Sequence, residues 1–179
     1  VKGPAGTGKT LVLAHIGLQV PNKTGILFVY TKILVKFLRS AFVNSNRTET
    51  LEQLGVDSFF QWLFRIYKNT FHEAAPDIES FDEKTDYMIE RLSGKIKSRM
   101  YDYVLIDEGQ DFRPSVIAFI RKITRVLVFV GDENQAIYVS HKDDLADLTK
   151  LFGEHTSYFL KLSIRISPSL IALLYPYIS

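Results

Sequence analysis

The chain has 179 residues, no cysteine, and a formal net charge of +2 that comes from 22 basic and 20 acidic side chains. The absence of cysteine excludes disulfides, thiolate metal sites and cysteine nucleophiles, and the near balance of charge means that any surface for a polyanion must be local. With 46% hydrophobic residues the chain can bury the core of one domain, but its longest apolar runs are too short to cross a bilayer. We therefore expect a cytoplasmic protein without a membrane partner.

The first residues contain "GPAGTGKT", which fits the pattern of a phosphate-binding loop that leads into a helix. The glycines allow a tight turn that aims backbone N–H groups at phosphate oxygens, and the positive end of the following helix faces the same anion. We expect Lys9 to meet the β- and γ-phosphates of ATP and Thr10 to ligate Mg²⁺. The alternative is a strand-to-helix turn with an incidental lysine, and the apolar helix that follows directly argues against it. The nucleotide-binding residues predicted here are Gly3, Pro4, Ala5, Gly6, Thr7, Gly8, Lys9 and Thr10.

Short apolar runs alternate with segments of helical periodicity along the chain. Nearly continuous β-branched and aromatic runs predict strands that are buried on both faces. Their alternation with helices predicts an α/β fold, a parallel sheet with helices on both faces. Residues 44–100 are interpreted as a small helical insertion between two core strands. The predicted strands are 25–31, 102–107, 125–132 and 157–163, and the predicted helices are 8–19, 32–43, 58–69, 82–98, 114–123 and 167–175.

A second chemical motif lies in "YDYVLIDEGQDF", a hydrophobic strand that ends in Asp107 and Glu108. An aspartate at the end of a neighbouring strand is suited to hold Mg²⁺ through its water shell. The adjacent glutamate is suited to activate the attacking water as a general base. The alternative is an acidic turn that caps the helix from Pro114, with Asp111 as a contributor, and the phosphate loop makes this alternative the weaker one.

Taken together, the motifs resemble the first RecA-like domain of a superfamily 1 helicase of the UvrD/Rep type. They are "GPAGTGKT", "DEGQD", "GDENQAIY" and "LSIRIS", in that order. The pairing of the second with the third distinguishes this family from GTPases, kinases and transport ATPases. The resemblance implies a RecA-like P-loop NTPase fold, ATP hydrolysis of the DNA helicase type, and ATP and Mg²⁺ as cofactors.

The resemblance also implies roles for individual residues. Glu108 would activate water, Gln135 would sense the γ-phosphate, and Arg165 would touch it. Asp107 would assist the metal with Thr10, and Gln110 would complete the nucleotide site and relay toward the segment that holds Gln135. "LSIRIS" lacks the asparagine and tyrosine that relatives have before this arginine.

Contacts to nucleic acid are expected at Thr31, Lys32 and Tyr138. The first two stand where relatives have an asparagine and an arginine, and a hydroxyl and an ammonium can bind backbone phosphates. Tyr138 stands where the family places an aromatic side chain that can stack on a base. Two alternatives stay open, a solvated basic helix face formed by Lys32, Lys36 and Arg39, and a core position for Tyr138.

The leading hypothesis is an ATP-driven helicase or translocase on a single-stranded track, with DNA favoured over RNA. One alternative is a regulatory ATP switch in a nuclease or defence assembly without processive unwinding. Another is a binding module with a degenerate ATPase, against which the intact Lys9, Asp107 and Glu108 argue. Residues 1–179 are expected to form a single, partial RecA-like domain that partners a second RecA-like domain of the parent chain. Alone, this domain should hydrolyse ATP weakly or not at all. The sequence indicates no particular oligomeric state.

Overall fold

The computed structural model describes residues 8–18, 20, 23–44 and 54–131. Within these ranges the chain forms five α-helices, four strands and one short 3₁₀ turn. The helices are α1 (Lys9–Leu18), α2 (Lys32–Asn44), α3 (Phe59–Phe71), α4 (Phe81–Lys95) and α5 (Pro114–Ile123), the strands are β1 (Gly25–Val29), β2 (Leu54–Ser58), β3 (Tyr101–Ile106) and β4 (Thr124–Phe129), and the 3₁₀ turn is Gly109–Asp111. None of these helices has the length and apolar character needed to span a bilayer.

The four strands form one parallel sheet in the order β2-β1-β3-β4. In the register of the central strands, Phe28 of β1 lies between Asp57 of β2 and Ile106 of β3. The chain leaves β1 toward β2 but leaves β3 toward β4, so the direction of winding reverses between β1 and β3. In open parallel sheets, the crevice at the carboxyl ends of the strands at such a reversal is where ligands bind.

Alternating side chains of the two central strands enter two separate cores. Ile26 and Phe28 of β1 point to the face covered by α3, α4 and α5, whereas Leu27 and Val29 point to the face covered by α1 and α2. Each of these two strands is therefore buried on both sides, which explains the apolar runs at 26–29 and 103–106. The expected α/β fold with a parallel sheet and helices on both faces is confirmed, and it is consistent with a RecA-like P-loop NTPase domain.

Local sequence features set where the helices begin and end. The hydroxyl oxygens of Ser58 and Ser80 accept hydrogen bonds from the third backbone N–H of α3 and α4, respectively, as helix N-caps do. Helix α3 ends where His72 adopts a left-handed conformation, and its N–H donates to the Lys68 carbonyl. Pro114 occupies the first turn of α5, where its missing N–H removes no helical hydrogen bond.

One part of the range 44–100 differs from the sequence-based interpretation. The sequence predicts helices there and no strand, but Leu54–Ser58 forms β2, which pairs along its whole length with β1. This strand has a glycine and an aspartate among its five residues, so it lacks the apolar run that identifies the central strands. Its Leu54 and Val56 side chains are nonetheless buried in the core on the face of α1 and α2, and Arg65 pairs with Asp57 at 2.7 Å while Arg39 donates to the Val56 carbonyl.

An aromatic cluster joins α3 to the sheet on the face opposite α1. Trp62 is buried and packs edge-on against Phe28 of β1 with ring centroids 5.3 Å apart. Its indole Nε1–H donates a hydrogen bond of 2.9 Å to the Tyr101 hydroxyl at the start of β3. Because a buried indole N–H needs an acceptor, this bond fixes the position of α3 across the sheet.

Removing that acceptor should destabilise the domain. In Tyr101→Phe the ring stays but the Trp62 N–H loses its partner, so we expect the free energy of unfolding to fall by about 1–3 kcal/mol. Urea unfolding followed by tryptophan fluorescence measures the change. Tyr87→Phe, at an exposed position on α4, is the matched control and should shift the midpoint by less than about 0.5 kcal/mol. Equal midpoints for the two variants would show that water replaces the hydroxyl at Trp62.

Candidate active site

Helix α1 begins at the end of the glycine-rich stretch. Gly8 has a φ of 81°, a left-handed conformation that L side chains rarely adopt. Its carbonyl accepts the N–H of Val12 at 3.0 Å and so starts the helical hydrogen-bond pattern. The first two helical residues are Lys9, which is buried, and Thr10, so the helix begins at two of the predicted phosphate-binding residues.

Thr10 and Asp107 meet across the carboxyl end of the sheet. The Thr10 hydroxyl Oγ1 donates a hydrogen bond of 2.6 Å to Asp107 Oδ2, although the two residues are 97 positions apart in the chain. The backbone N–H of Asp107 donates to the Phe28 carbonyl at 2.9 Å, which holds the aspartate at the end of β1 as well as β3. The two predicted metal ligands therefore lie side by side at the point where the winding of the sheet reverses.

Burial makes the Asp107 carboxyl a weaker acid than a free aspartic acid. Asp107 is 1% exposed, and this burial, together with the nearby negative charge of Glu108, raises the pKa of its carboxyl group to about 6. The hydrogen bond from Thr10 and the positive charge of Lys9 act in the opposite direction and lower this pKa. Its second oxygen, Oδ1, is buried and accepts no hydrogen bond within the described part of the chain. A buried carboxylate oxygen without a partner, beside a threonine hydroxyl and a buried lysine, is a donor set that fits a hydrated Mg²⁺ with its nucleotide phosphates.

Glu108 follows in an unusual backbone conformation. Its φ is 50° and its ψ is 47°, a left-handed conformation that costs a non-glycine residue about 1–2 kcal/mol. The turn is fixed on both sides, because the N–H of Asp111 donates to the Glu108 carbonyl at 3.0 Å and the N–H of Gly109 donates to the Val130 carbonyl at 2.9 Å. The Glu108 carboxylate itself accepts a hydrogen bond of 2.8 Å from Gln110 Nε2.

The start of α5 is tied to α4 beside this turn. Arg113 directly precedes α5, and its guanidinium donates to both carboxylate oxygens of Asp86, at 2.8 and 3.1 Å. It also donates to the backbone carbonyl of Asp82 at 2.9 Å. Such two-pronged arginine–carboxylate pairs have a fixed geometry, so the segment that follows the acidic turn has a defined path.

The predicted nucleic-acid contacts at the end of β1 lie on the same edge of the sheet. Lys32 is exposed at the start of α2. Thr31 is exposed as well, and its Oγ1 accepts the N–H of Leu34 at 3.2 Å, so it caps α2. The three residues of the basic helix face, Lys32, Lys36 and Arg39, are all exposed, and the Arg39 guanidinium also donates to the Val56 carbonyl of β2.

The structure thus brings Gly8, Lys9, Thr10, Asp107 and Glu108 to one edge of the sheet, with Gln110 in contact with Glu108. Other predicted site residues lie outside the described part of the chain, and their assignments stay predictions. They are Gly3, Pro4, Ala5, Gly6, Thr7, Gln135, Tyr138 and Arg165.

Two glycines beside the acidic turn were not identified as site residues from the sequence. A Cβ on Gly109 would lie 2.0 Å from the ring of Phe129, and a Cβ on Gly131 would lie 2.6 Å from Gln110 Oε1. Both positions let the end of β4 approach the acidic turn closely. Each glycine stands inside a motif that the sequence did identify, but the need for glycine arises from contacts between segments and has no local sequence signature.

Comparison with known proteins agrees with this geometry. The family model of the AAA domain matches residues 1–141, which covers the phosphate loop, all four strands and the acidic turn. That family consists of P-loop NTPases and includes helicases of the UvrD/Rep type. No curated protein matches the chain.

Proposed function

This chain belongs to the AAA domain family of P-loop NTPases, and we propose that it is the ATP-hydrolysing core of a helicase or translocase that moves on single-stranded nucleic acid. The observation that supports a hydrolase most directly is the contact between Thr10 and Asp107 beside the buried Lys9. The more specific assignment to a helicase of the UvrD/Rep type is supported by the sequence motifs "DEGQD" and "GDENQAIY".

In the proposed site, Lys9 and the backbone N–H groups at the start of α1 bind the phosphates of ATP. Thr10 and Asp107 would hold Mg²⁺, which when bound neutralises charge on the β- and γ-phosphates. Asp107 suits that position because a nearby cation offsets the unfavourable burial of its charge. The carboxylate of Glu108 takes a proton from the attacking water as a general base.

The proposed track runs along the carboxyl edge of the sheet. Thr31 and Lys32 lie there on the surface, at the end of the strand that neighbours β3 and its acidic turn. A lysine at this edge can bind a backbone phosphate whatever the base sequence. Tyr138 would add stacking, and DNA is the favoured track because of the family resemblance. A second RecA-like domain of the parent chain would supply the arginine that completes the site. The proposed location of the protein is the cytoplasm.

The test is ATP hydrolysis by the full-length protein with and without single-stranded DNA or RNA, together with strand displacement on a tailed duplex. Stimulation by one nucleic acid identifies the track, and strand displacement identifies a helicase. Stimulation without displacement indicates either a translocase or the alternative regulatory switch. A fluorescent reporter at the end of the strand distinguishes the two, because only a translocase moves along the strand to reach it. Hydrolysis that responds to neither nucleic acid contradicts the proposed track.

The lysine on that edge gives a more specific prediction. In Lys32→Ala, we expect the nucleic-acid concentration for half-maximal stimulation of ATP hydrolysis to rise several-fold and to depend less steeply on salt, since one phosphate contact is lost. Lys97→Ala is the matched control, because Lys97 is also exposed but precedes β3 at the opposite edge of the sheet. Equal effects of both substitutions would mean that the basic charge acts only through the net charge of the protein.

A further inference from the structure

Arg113 connects the end of the acidic turn to helix α4. Its backbone carbonyl accepts the N–H groups of Val116 and Ile117 at 3.0 and 3.2 Å and so begins α5. Its guanidinium donates to both carboxylate oxygens of Asp86 on α4, at 2.8 and 3.1 Å, and to the Asp82 carbonyl at 2.9 Å. One residue therefore begins α5 and at the same time binds the first two turns of α4.

Further contacts hold the same junction between the acidic turn and α4. The Ser115 hydroxyl donates to Asp86 Oδ1 at 2.9 Å, so this carboxylate is also bound by the first turn of α5. Phe112, which ends the acidic turn, is buried. Phe60 of α3 contacts both the Phe112 ring and the Phe81 ring of α4, at centroid distances of 6.3 and 4.8 Å. The downstream end of the turn is therefore fixed to α4 by ion pairing and by packing.

Glu108 lies between this junction and β3 in a strained backbone conformation. Its φ of 50° is unfavourable for a residue with a side chain, and such a conformation persists only where the surrounding structure imposes it. Upstream, the hydrogen bond from the Asp107 N–H to the Phe28 carbonyl fixes the chain to the sheet. Downstream, the Asp111 N–H donates to the Glu108 carbonyl, and the chain then reaches Arg113. The strained residue is thus held from both sides.

We propose that Arg113 is a positioning residue, which keeps Glu108 in its left-handed conformation by anchoring the acidic turn to α4. This inference rests on the proposed function, in which the Glu108 carboxylate is the base. Without the anchor the turn relaxes, and the carboxylate spends part of its time away from the attacking water. Because the Arg113 guanidinium is bound to α4, it affects hydrolysis only through Glu108, and α4 becomes part of the support of the active site.

The substitution Arg113→Ala removes the anchor and leaves the phosphate-binding residues unchanged. We expect kcat for ATP hydrolysis by the full-length protein to fall about 5- to 30-fold, the change in population that corresponds to the strain at Glu108, with KM for ATP unchanged. Asp86→Ala removes the acceptor of the same pair and should act in the same direction. The matched control is Arg91→Ala, because Arg91 also lies on α4 but pairs with Glu73, beyond the end of α3, at 2.7 Å. Its kcat should equal that of the wild type.

A double-mutant cycle with Glu108→Gln separates positioning from a general loss of structure. In Glu108→Gln the base is already absent, so adding Arg113→Ala should not lower the residual kcat further, since residues that act as a unit are not additive. Partial unfolding would instead lower kcat by the same factor in both backgrounds. Arg113→Lys keeps the charge but loses the two-pronged geometry. If Arg113→Ala fails to fold, Arg113→Lys takes its place in the cycle, with the same expected pattern.

Hydrogen exchange tests the anchor independently of hydrolysis. In Arg113→Ala the Asp111 N–H, which is bonded to the Glu108 carbonyl, should exchange faster by a comparable factor, because the turn opens more often. In Arg91→Ala its exchange should be unchanged. Unchanged exchange or a wild-type kcat in Arg113→Ala overturns the proposal, as does an equal fold loss of kcat in both backgrounds. A wild-type protein that does not hydrolyse ATP contradicts the proposed function instead, while the exchange rates still decide whether the anchor exists.

Discussion

We expect replacement of Glu108 by glutamine to lower kcat for ATP hydrolysis by about 10²–10⁴-fold, the range that general acid–base catalysis contributes. The amide has nearly the same shape as the carboxylate and can still accept the hydrogen bond from Gln110 Nε2, but it cannot take a proton from water. ATP binding should remain, because Lys9 and Thr10 are unchanged. Steady-state hydrolysis and the binding of a fluorescent ATP analogue measure the two properties separately.

Glu90→Gln is the matched control for this substitution. Glu90 is exposed on α4, so the control makes the same chemical change away from the carboxyl edge of the sheet. Its hydrolysis should equal that of the wild type. If Glu108→Gln also hydrolyses ATP at the wild-type rate, Glu108 is not the base, and another group activates the water. If neither protein hydrolyses ATP, the alternative of a binding module with a degenerate ATPase is favoured instead.

Much of the fold could be predicted from the sequence because its central strands are buried on both faces. Continuous apolar runs fill 26–29 of β1 and 103–106 of β3, a pattern that needs no knowledge of neighbouring segments. The helix predicted over 114–123 has those same bounds in the structure, since a proline opens it and its apolar residues recur at helical spacing. The edge strand Leu54–Ser58 could not be predicted in this way, because its five residues include a glycine, an aspartate and a serine, and its position is set by pairing with β1.

One part of the candidate site could likewise be predicted from the sequence, and another part could not. The motifs "GPAGTGKT" and "DEGQD" predicted that Thr10 and Asp107 share one Mg²⁺. The structure places Thr10 Oγ1 2.6 Å from Asp107 Oδ2, and the metal-binding role itself stays a prediction. The left-handed backbone of Glu108 and the approach of Gly131 to Gln110 were not predictable. Both depend on how closely the ends of β3 and β4 approach each other, which is a property of the assembled sheet.

Replacement of Asp107 by asparagine is expected to stabilise the folded domain and, at the same time, to abolish ATP hydrolysis. In the absence of Mg²⁺ and nucleotide, Asp107→Asn should raise the free energy of unfolding at neutral pH by up to about 3 kcal/mol, which is the energy equivalent of a pKa that rises from 3.8 to about 6 on folding. The neutral amide avoids the buried charge, and its Oδ1 can still accept the hydrogen bond from Thr10. Hydrolysis should be lost in the same variant.

The pH dependence of the wild type follows from the direction of this shift. Because the pKa of Asp107 is higher in the folded state, the folded protein binds more protons between about pH 4 and pH 6, and its stability rises as the pH falls through that window. The difference in unfolding free energy between Asp107→Asn and the wild type should therefore be largest above about pH 6 and vanish below about pH 4. Urea unfolding across this range measures it, and taking the difference removes the contributions of the other carboxyl groups.

Asp77→Asn, at an exposed position between α3 and α4, is the control and should show no such trend. If Asp107→Asn is instead less stable than the wild type at neutral pH, the Asp107 charge is already compensated within the folded protein. In that case the aspartate would be a structural group.

The expected result is a residue that weakens the fold and is needed for hydrolysis. It means that the charge of Asp107 is kept for a cation, because burying this charge without a cation is unfavourable. Addition of Mg²⁺ with ATP should then stabilise the wild type more than the variant, and the increase in unfolding free energy gives the affinity of the site directly.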